Sequence, residues 1–365
     1  GWHRWPMPVA ILGEGHDGRP ACNNCSACQS GCPTGAMYDV SLAMMPRALA
    51  AGAKLIPDAR VEKIETDASG RATGAVYIDR NTGLRHRQAA RMVILCGNGV
   101  GTPRLLLLSA NARQPNGLAN SSDQVGRNLM HHTAGIVEAW VDKDLESHKG
   151  VINGAHICEE FAETDPRRGF VNGFTMHIVR LNGAHRPPWG RAHHEWFRSH
   201  FSRGFGILVL GDDLPQPSNR VTLSETVTDS SGLPTAKLHY RLHPNDDRLV
   251  RYGMERAVEI ARAADAFDIK VNDFREADGR YRPPTWHLLG TARMGDDPAT
   301  SVTNLWHQSW DVPNLYIVDG SSMPTCAAVN PTSTISAMAL RAARRIAGDF
   351  RALAEATKPI SGAPS

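Results

Sequence analysis

The chain has 365 residues, of which 41% are hydrophobic, enough for a large core and more than one domain. Its 40 Lys and Arg residues nearly balance 37 Asp and Glu, so the net charge of +3 gives no reason to expect binding to nucleic acid or to a membrane surface. No apolar run approaches the roughly 18 residues needed to cross a bilayer, so no transmembrane segment is predicted.

Four of the seven cysteines lie within eleven residues near the start of the chain. Cys22, Cys25, Cys28 and Cys32 have the spacing C-x2-C-x2-C-x3-C-P, which ligates iron–sulfur clusters in bacterial ferredoxins. The two-residue gaps let the chain wrap around one cluster. The spacing therefore predicts an iron–sulfur site with these thiolates as ligands.

Three other interpretations of the cysteine run stay open. Structural zinc normally uses two separated pairs of ligands, and disulfides need narrow Cα separations and an oxidising compartment. The third is a loop without metal.

In ferredoxins with this spacing the fourth cysteine ligates a second cluster, and the sequence has no second run. Either Cys32 completes a four-cysteine site, or three thiolates hold a three-iron cluster.

After the cysteine run, short alternating segments separated by Gly and Asn turns predict a small antiparallel meander. The apolar run Met92–Cys96 predicts a buried strand that leads into a glycine-rich turn at Gly97–Pro103 and then a helix. This turn departs from G-x-G-x-x-G, so by itself it indicates dinucleotide binding only weakly.

Residues 133–284 have a different pattern. Alternating apolar runs such as Phe170–Ile178 and Phe205–Leu210 predict an antiparallel sheet. A helix is predicted over Asp246–Ala266, with Asn245 and Asp246 as candidates for its N-cap. The segment His185–Trp196 is expected to be a loop, which either shapes the substrate pocket or is a solvated part of the surface.

The C-terminal part of the chain combines a buried strand with a helix start. The apolar run Leu315–Val318 ends at Asp319, and ligands of open α/β sheets bind at such carboxyl ends of strands. Asn330 is predicted to cap a following amphipathic helix, with Pro331 as its first residue. Because a helix N-terminus carries unsatisfied N–H groups, it would stabilise an anion such as a reduced flavin.

Three C-terminal segments, HLLGTARMG, NLYIVDG and NPTSTI, together resemble the signature of the glucose-methanol-choline (GMC) family of FAD-dependent oxidoreductases. The resemblance implies that His287 and Asn330 face the flavin over the substrate carbinol. It also implies that Asp319 and the turn after it hold the ribityl chain. The residues expected to bind FAD are Val61, Cys96, Gly97, Asp319, Gly320, Pro331 and Thr332, with the first three at the adenine end.

Two further segments are similar to parts of this family. Val125–His132 resembles its VGRNL-xx-H segment, where His131 and His132 are expected to be structural because His287 already supplies the base. The segment NNCSACQSGCPTGAMY resembles the large subunits of bacterial FAD sugar dehydrogenases, which hold a three-iron cluster near the flavin. Their upstream cysteines are adjacent, whereas this chain has Cys22-Asn23, so both three-iron (3Fe–4S) and four-iron (4Fe–4S) clusters stay open.

The resemblance predicts an α/β FAD-binding domain, Rossmann-like but incomplete, and an α+β substrate domain with an antiparallel sheet. The first is assigned to residues 1–132 and 286–355, the second to 133–285, and a tail to 356–365. Family members begin with a strand, a G-x-G-x-x-G turn and a helix that bind the FAD pyrophosphate. Gly1–Gly31 contains none of these, so the chain is expected to be part of a longer protein.

The expected function is oxidation of a CH–OH group of a sugar, polyol or other alcohol, with hydride transfer to flavin N5 of FAD. Electrons would then pass through the cluster to a small subunit, a cytochrome or a quinone. A cluster-free GMC oxidase or dehydrogenase is the alternative within the family. The alternative of another class is a non-catalytic iron–sulfur module for electron transfer.

Overall fold

The structure, a computed structural model, describes residues 2–151, 156–181, 189–284 and 287–356, with side chains up to Phe350. The predicted tail therefore lies outside the described residues, apart from Ala356. The strands are β1 Trp5–Pro6, β2 Ala59–Thr66, β3 Ala72–Asp79, β4 Arg85–Ala89, β5 Val93–Leu95, β6 Thr133–Val141, β7 His156–Cys158, β8 Phe174–Arg180, β9 Gly204–Gly211, β10 Arg220–Thr228, β11 Pro234–His239, β12 Ala266–Asn272 and β13 Leu315–Ile317. The helices are α1 Val40–Ala43, α2 Met45–Ala50, α3 Asn98–Leu108, α4 Arg191–His200, α5 Pro244–Ala263 and α6 Thr332–Ala356.

A six-stranded sheet in the order β1-β7-β8-β9-β6-β12 forms the larger layer, and the strand pairs assigned within it are antiparallel. Helix α5 packs on this sheet, where Leu249 and Met254 meet Val137 and Val209 in a buried apolar cluster. Apolar residues three or four positions apart on α5 supply the stripe that a helix buries against a sheet. The antiparallel sheet predicted for the substrate domain is confirmed.

A second region is built on the parallel pair β5 and β13, in which Leu95 lies beside Ile317. Helix α3 follows β5 directly, and the antiparallel meander β2-β3-β4 packs next to it, so that Ile64, Leu95, Leu106 and Ile317 share one buried cluster. Because β5 and β13 are parallel, their carboxyl ends meet at the same edge. The turns that follow them therefore lie side by side, as the predicted α/β domain requires.

Two predicted helices begin at different residues from those expected. Helix α6 starts at Thr332, because the Pro331 carbonyl accepts the first intrahelical hydrogen bond from Ile335 N (2.9 Å). Pro331 is thus at the N-cap, with Asn330 before it. Helix α5 starts at Pro244 and is capped by the His243 ring, which accepts from a backbone N–H in the first turn.

The segment predicted as a loop at 185–196 is partly helical. Positions 185–188 lie outside the described residues, and Arg191–His200 forms α4. Trp196 stacks on His200 at a ring distance of 4.5 Å, and His200 Nε2 lies 3.1 Å from the Asp268 carboxylate on β12. These aromatic and polar contacts hold the helix on the edge of the sheet.

Within the described part of the chain, no helix is both long and apolar enough to span a membrane.

Candidate functional site

His287 and His132 are brought together by a short antiparallel contact. Met130 and Leu289 exchange backbone hydrogen bonds of 3.1 Å as an isolated bridge. Two residues after Met130 and two residues before Leu289, side chains again lie opposite each other on the same face. His132 Nδ1 and His287 Nδ1 are accordingly 2.6 Å apart, and the two rings meet edge to face.

Both imidazoles of this pair are kept neutral. Burial is the main cause that lowers the pKa of His132 to about 3, and the neighbouring His287 adds to it, while the carbonyls of Ala327 and Cys326 oppose it. Burial followed by the proximity of His131 also lowers the pKa of His287. A neutral imidazole has a free lone pair on one nitrogen, so His287 is in the state that a general base requires.

A further histidine, His177 on β8, is fully buried and lies close enough to this pair for the charges of the rings to interact. Burial, followed by repulsion from His287, lowers the pKa of His177 to about 4. Thr175 Oγ1 donates to the Ala328 carbonyl (2.6 Å) and is 2.9 Å from His177 Nε2. Since the threonine proton is already used, His177 Nε2 must donate, which leaves Nδ1 as an acceptor.

Sequence reasoning missed His177 and assigned His132 a structural role. The sequence does contain a signal for His177, because the alternation within Phe170–Ile178 puts Thr175 and His177 on one face of a predicted strand. A buried polar pair on a core strand is unusual and often functional. His132 carries no comparable local signal, since its partner is 155 positions away.

The start of α6 is packed against the same region. Ile335 and Met338 in its first turns contact a buried cluster formed by Met130, Leu289, Met323 and Cys326. This cluster holds the loop that carries Asn330 next to the two segments that carry His132 and His287. Asn330 and Thr332 are exposed, whereas Pro331 is buried. The meeting of His287 and Asn330 over a substrate stays a prediction.

Asp319 links the turns that follow the two parallel strands. Its Oδ2 accepts from Asn98 N (3.0 Å) and from Thr102 Oγ1 (2.6 Å), and its Oδ1 accepts from Ser321 N (2.8 Å). These bonds tie the N-terminus of α3 to the turn at Gly320–Ser322. The structure therefore gives Asp319 a local structural role, and its contact with a ribityl chain stays a prediction.

Close backbone approaches position the segment that follows His287. A Cβ on Gly99 would lie 2.5 Å from the Leu288 carbonyl carbon, and one on Gly320 would lie 2.9 Å from the Leu288 oxygen. Gly290 N also donates to the Gly320 carbonyl (3.2 Å). Only glycine allows the two turns to approach this closely. His287 is thus anchored on the edge where β5 and β13 end.

Three of the residues predicted to bind FAD line one cleft. Val61, Cys96 and Gly97 face a cavity of about 330 Å³ beside β5 and α3. Its other walls include the apolar side chains of Ile94 and Leu105. Val61 and Ile94 are exposed there, 38% and 48% respectively, which is unusual for aliphatic side chains on strands next to a core. Arg60 and Arg104 also line the cleft, and the binding of an adenine ring there stays a prediction.

The described structure does not support the metal site predicted from the cysteine spacing. Among the residues that the structure describes, no three His, Cys, Asp or Glu side chains are grouped so that they could hold a metal ion. Cys22 Sγ instead accepts from Asn24 N (3.4 Å), and Cys25 is exposed. Hydrogen bonds from Thr34 and then Met37 lower the pKa of Cys32 to about 7. Asn24 and Ser26, which lie between the cysteines, have positive φ angles that mark tight turns in this loop.

Comparison with known families identifies the fold. A family model described as GMC oxidoreductase, for the N-terminal part, matches residues 14–134, and its C-terminal counterpart matches residues 215–339. The chain belongs to the GMC oxidoreductase family. The resemblance predicted from the C-terminal segments is thereby confirmed.

Several GMC relatives are similar over almost the whole chain. A 2-methyl-1,2-propanediol dehydrogenase of Mycolicibacterium austroafricanum is 45% identical over 361 residues, which cover 96% of this chain and 64% of that protein. The fructose dehydrogenase large subunit of Gluconobacter japonicus is 32% identical, with coverage of 96% and 64%. The chain thus spans slightly less than two thirds of the length of these relatives.

Two solved structures share the fold of this chain. Aspergillus oryzae formate oxidase matches with a TM-score of 0.60 at 16% identity, over 82% of this chain and 61% of that one. An FAD-dependent oxidoreductase from Chaetomium thermophilum matches with a TM-score of 0.59 at 16% identity, over 84% and 64%. The predicted fold class, an FAD-binding α/β region with an antiparallel substrate sheet, is confirmed.

Proposed function

We propose that the protein oxidises a CH–OH group of an alcohol, polyol or sugar with FAD as its cofactor. The observation that carries this proposal is His287, a half-buried neutral imidazole held by a second imidazole at the edge where β5 and β13 end. Proteins similar to this chain include a diol dehydrogenase and a sugar dehydrogenase subunit, which supports an alcohol substrate with more than one hydroxyl.

The residues of this chain would act on the substrate hydroxyl in two ways. His287 would accept the hydroxyl proton, since a neutral imidazole is an efficient base when its pKa lies near the working pH. The Asn330 side chain would hydrogen-bond the same oxygen and orient the carbinol C–H, so that the reaction becomes a positioned step. FAD, when bound, supplies the hydride acceptor.

The described residues fit the flavin cofactor. The cleft at Val61, Cys96 and Gly97 would take the adenine end, and the Asp319–Gly320 turn would run along the ribityl chain. Helix α6 begins at the exposed Thr332, directly after the buried Pro331. The backbone N–H groups of its first turn would face the ring system, because a helix N-terminus stabilises negative charge.

The direct test is anaerobic mixing of the full-length flavoprotein with vicinal diols, sugars and simple primary alcohols. We expect at least one of these classes to bleach the oxidised flavin. Reoxidation by O₂ or by a quinone then separates an oxidase from a dehydrogenase. A flavoprotein that none of the three classes reduces would refute the proposed function.

Val61 provides a test of the adenine cleft. Val61→Glu should weaken FAD binding at least tenfold, about 1.4 kcal/mol, because the carboxylate must be desolvated against the apolar wall. Titration of the apoprotein with FAD, followed by flavin fluorescence, measures the change. Val227→Glu is the matched control, since Val227 is an exposed strand residue outside the cleft. Equal affinities for the two variants would contradict the assignment.

The iron–sulfur cluster stays a separate prediction from the spacing of the cysteines. Its test is iron and acid-labile sulfide in anaerobically purified full-length protein. Three or four irons per chain, lowered by Cys25→Ser and unchanged by Cys158→Ser, would confirm the prediction from the sequence. Absence of both iron and sulfide would leave the cluster-free GMC enzyme.

A further inference from the structure

The loop that leads to Asn330 lies on the face of the six-stranded sheet opposite to α5. Side chains alternate along a strand, so Thr175 and His177 on β8 lie on the face opposite to Met176, which packs in the buried cluster with α5. Thr175 Oγ1 donates to the Ala328 carbonyl at 2.6 Å, and Ala328 is two residues before Asn330. His177 is therefore on the same face of the sheet as the loop that carries Asn330.

His177 is a polar side chain between apolar neighbours on this face. Its cross-strand partners are Ile157 on β7 and Leu208 on β9. Burial, followed by repulsion from His287, lowers the pKa of His177 to about 4, so the ring is neutral and lies near His287. Ligand pockets are typically lined by apolar side chains with a few polar groups that fix the orientation of the ligand. His177 has the position of such a polar group.

The two contacts of the Thr175 hydroxyl fix which nitrogen of His177 carries the hydrogen. A carbonyl only accepts, so the hydroxyl donates to Ala328. His177 Nε2 lies 2.9 Å from the same hydroxyl oxygen and must supply the hydrogen of that contact. A neutral imidazole with its hydrogen on Nε2 has its lone pair on Nδ1. Within the part of the chain that the structure describes, no donor is bonded to this Nδ1, and the atom is not fully enclosed.

We propose that His177 is a specificity-determining residue whose Nδ1 accepts a hydrogen bond from a second hydroxyl of the substrate, while His287 acts on the hydroxyl that is oxidised. This inference rests on the proposed function. A hydroxyl in this position donates to the lone pair, whereas a methyl group would leave Nδ1 desolvated and without a donor. The protein therefore prefers substrates with two or more hydroxyls. Thr175 is the positioning residue, because it holds the hydrogen of His177 on Nε2.

Matched pairs of substrates test the role of the second hydroxyl. The alcohol n-propanol has a methyl group where ethylene glycol has its second hydroxyl, and a sugar can be compared with the deoxy sugars that keep the oxidised hydroxyl. For the class that reduces the flavin of the full-length protein, we expect kcat/KM to fall roughly tenfold or more when the bound hydroxyl is missing. Equal values within every pair would overturn the inference and leave alcohol oxidation, and thus the proposed function, intact.

Two amide variants distinguish the two nitrogens of the ring. His177→Gln keeps a donor for Thr175 near the former Nε2 but has no acceptor near the former Nδ1, and we expect it to lower the preference for ethylene glycol roughly tenfold, mainly through KM. His177→Asn places an amide oxygen near the former Nδ1 and should restore most of the preference. His156→Gln is the matched control, because His156 pairs with Ile178 and so lies on the face that carries α5. A His177→Gln variant with the full parent preference would overturn the inference.

The tautomer and the binding of the second hydroxyl can be measured without turnover and without a variant that must be active. Nitrogen NMR of the ¹⁵N-histidine-labelled protein distinguishes the two tautomers, and the His177 signals are assigned by their loss in His177→Asn. We expect the Nε2–H tautomer, and Nδ1–H would overturn the inference. In the anaerobically reduced flavoprotein, which accepts no further hydride, ethylene glycol should shift the Nδ1 signal and n-propanol should not. If this shift occurs but no alcohol reduces the oxidised flavin, the binding inference stands and the proposed function fails.

Discussion

Replacing His287 with alanine in the full-length protein is expected to slow flavin reduction by roughly 10²- to 10⁴-fold, the usual contribution of a positioned general base. Anaerobic stopped-flow measurement of flavin reduction by substrate gives the rate directly. His239→Ala is a matched control, since His239 is an exposed residue on β11 whose Nε2 lies 3.1 Å from Thr222 Oγ1. Asn330→Ala should cost less, because it removes a positioning hydrogen bond and leaves the base.

The pH dependence of the rate follows from the state of His287. Its base form is the unprotonated ring, so the rate should fall as the pH drops through its pKa. Burial, together with the proximity of His131, lowers that pKa, which places the fall below the ordinary value of about 6.5. His132 and His177, two further imidazoles close to His287, have pKa values of about 3 and 4 and stay neutral over this range.

The His287→Ala and Asn330→Ala variants should differ in the pH dependence of flavin reduction. His287→Ala should lose the acid limb of the pH profile, whereas Asn330→Ala should keep it. A His287→Ala variant that reduces its flavin at the parent rate would remove the catalytic role. It would also favour the non-catalytic alternative, in which activity does not depend on His287.

Gly290→Ala is expected to destabilise the protein by roughly 2–5 kcal/mol, because backbone strain and a steric collision add. Gly290 has a φ of +90°, and a Cβ there would lie 2.1 Å from the Asn128 carbonyl oxygen. That oxygen belongs to backbone and cannot turn away. Equilibrium unfolding in denaturant, with the midpoint and slope both recorded, measures the loss.

Gly279→Ala is the matched control for this collision. Gly279 has a similar φ of +81°, but nothing lies within 4 Å of the position of its Cβ. This variant should lose only the cost of the left-handed conformation, about 1 kcal/mol. The difference between the two variants isolates the contact of the His287 segment with Asn128. Equal losses would mean that this segment is not held as tightly as the structure indicates.

Local patterns were sufficient to predict much of the fold. The buried strand at Leu315–Ile317 and the amphipathic helix α6 follow from runs and periodicities within a few residues, and the structure places both close to the predicted bounds. The antiparallel sheet follows from alternation in the same way. The family follows from ordered motifs, which include His287 itself. The starts of α5 and α6 differ from the predicted ones, because the His243 side chain caps α5 and the Pro331 carbonyl accepts the first hydrogen bond of α6.

By itself, the sequence determined the family, the main strands and helices, and His287 as the candidate base, because each of these depends on residues that are near one another in the chain. Only the tertiary structure decided what surrounds that base. His132, just before β6, contacts His287, His177 on β8 lies close to it, and burial lowers the pKa of all three rings. The cysteine run shows the same limit, since its spacing permits convergence, yet no three metal-binding side chains are grouped among the described residues. Spacing determines which contacts a chain can make, whereas backbone conformation and packing determine which of them form.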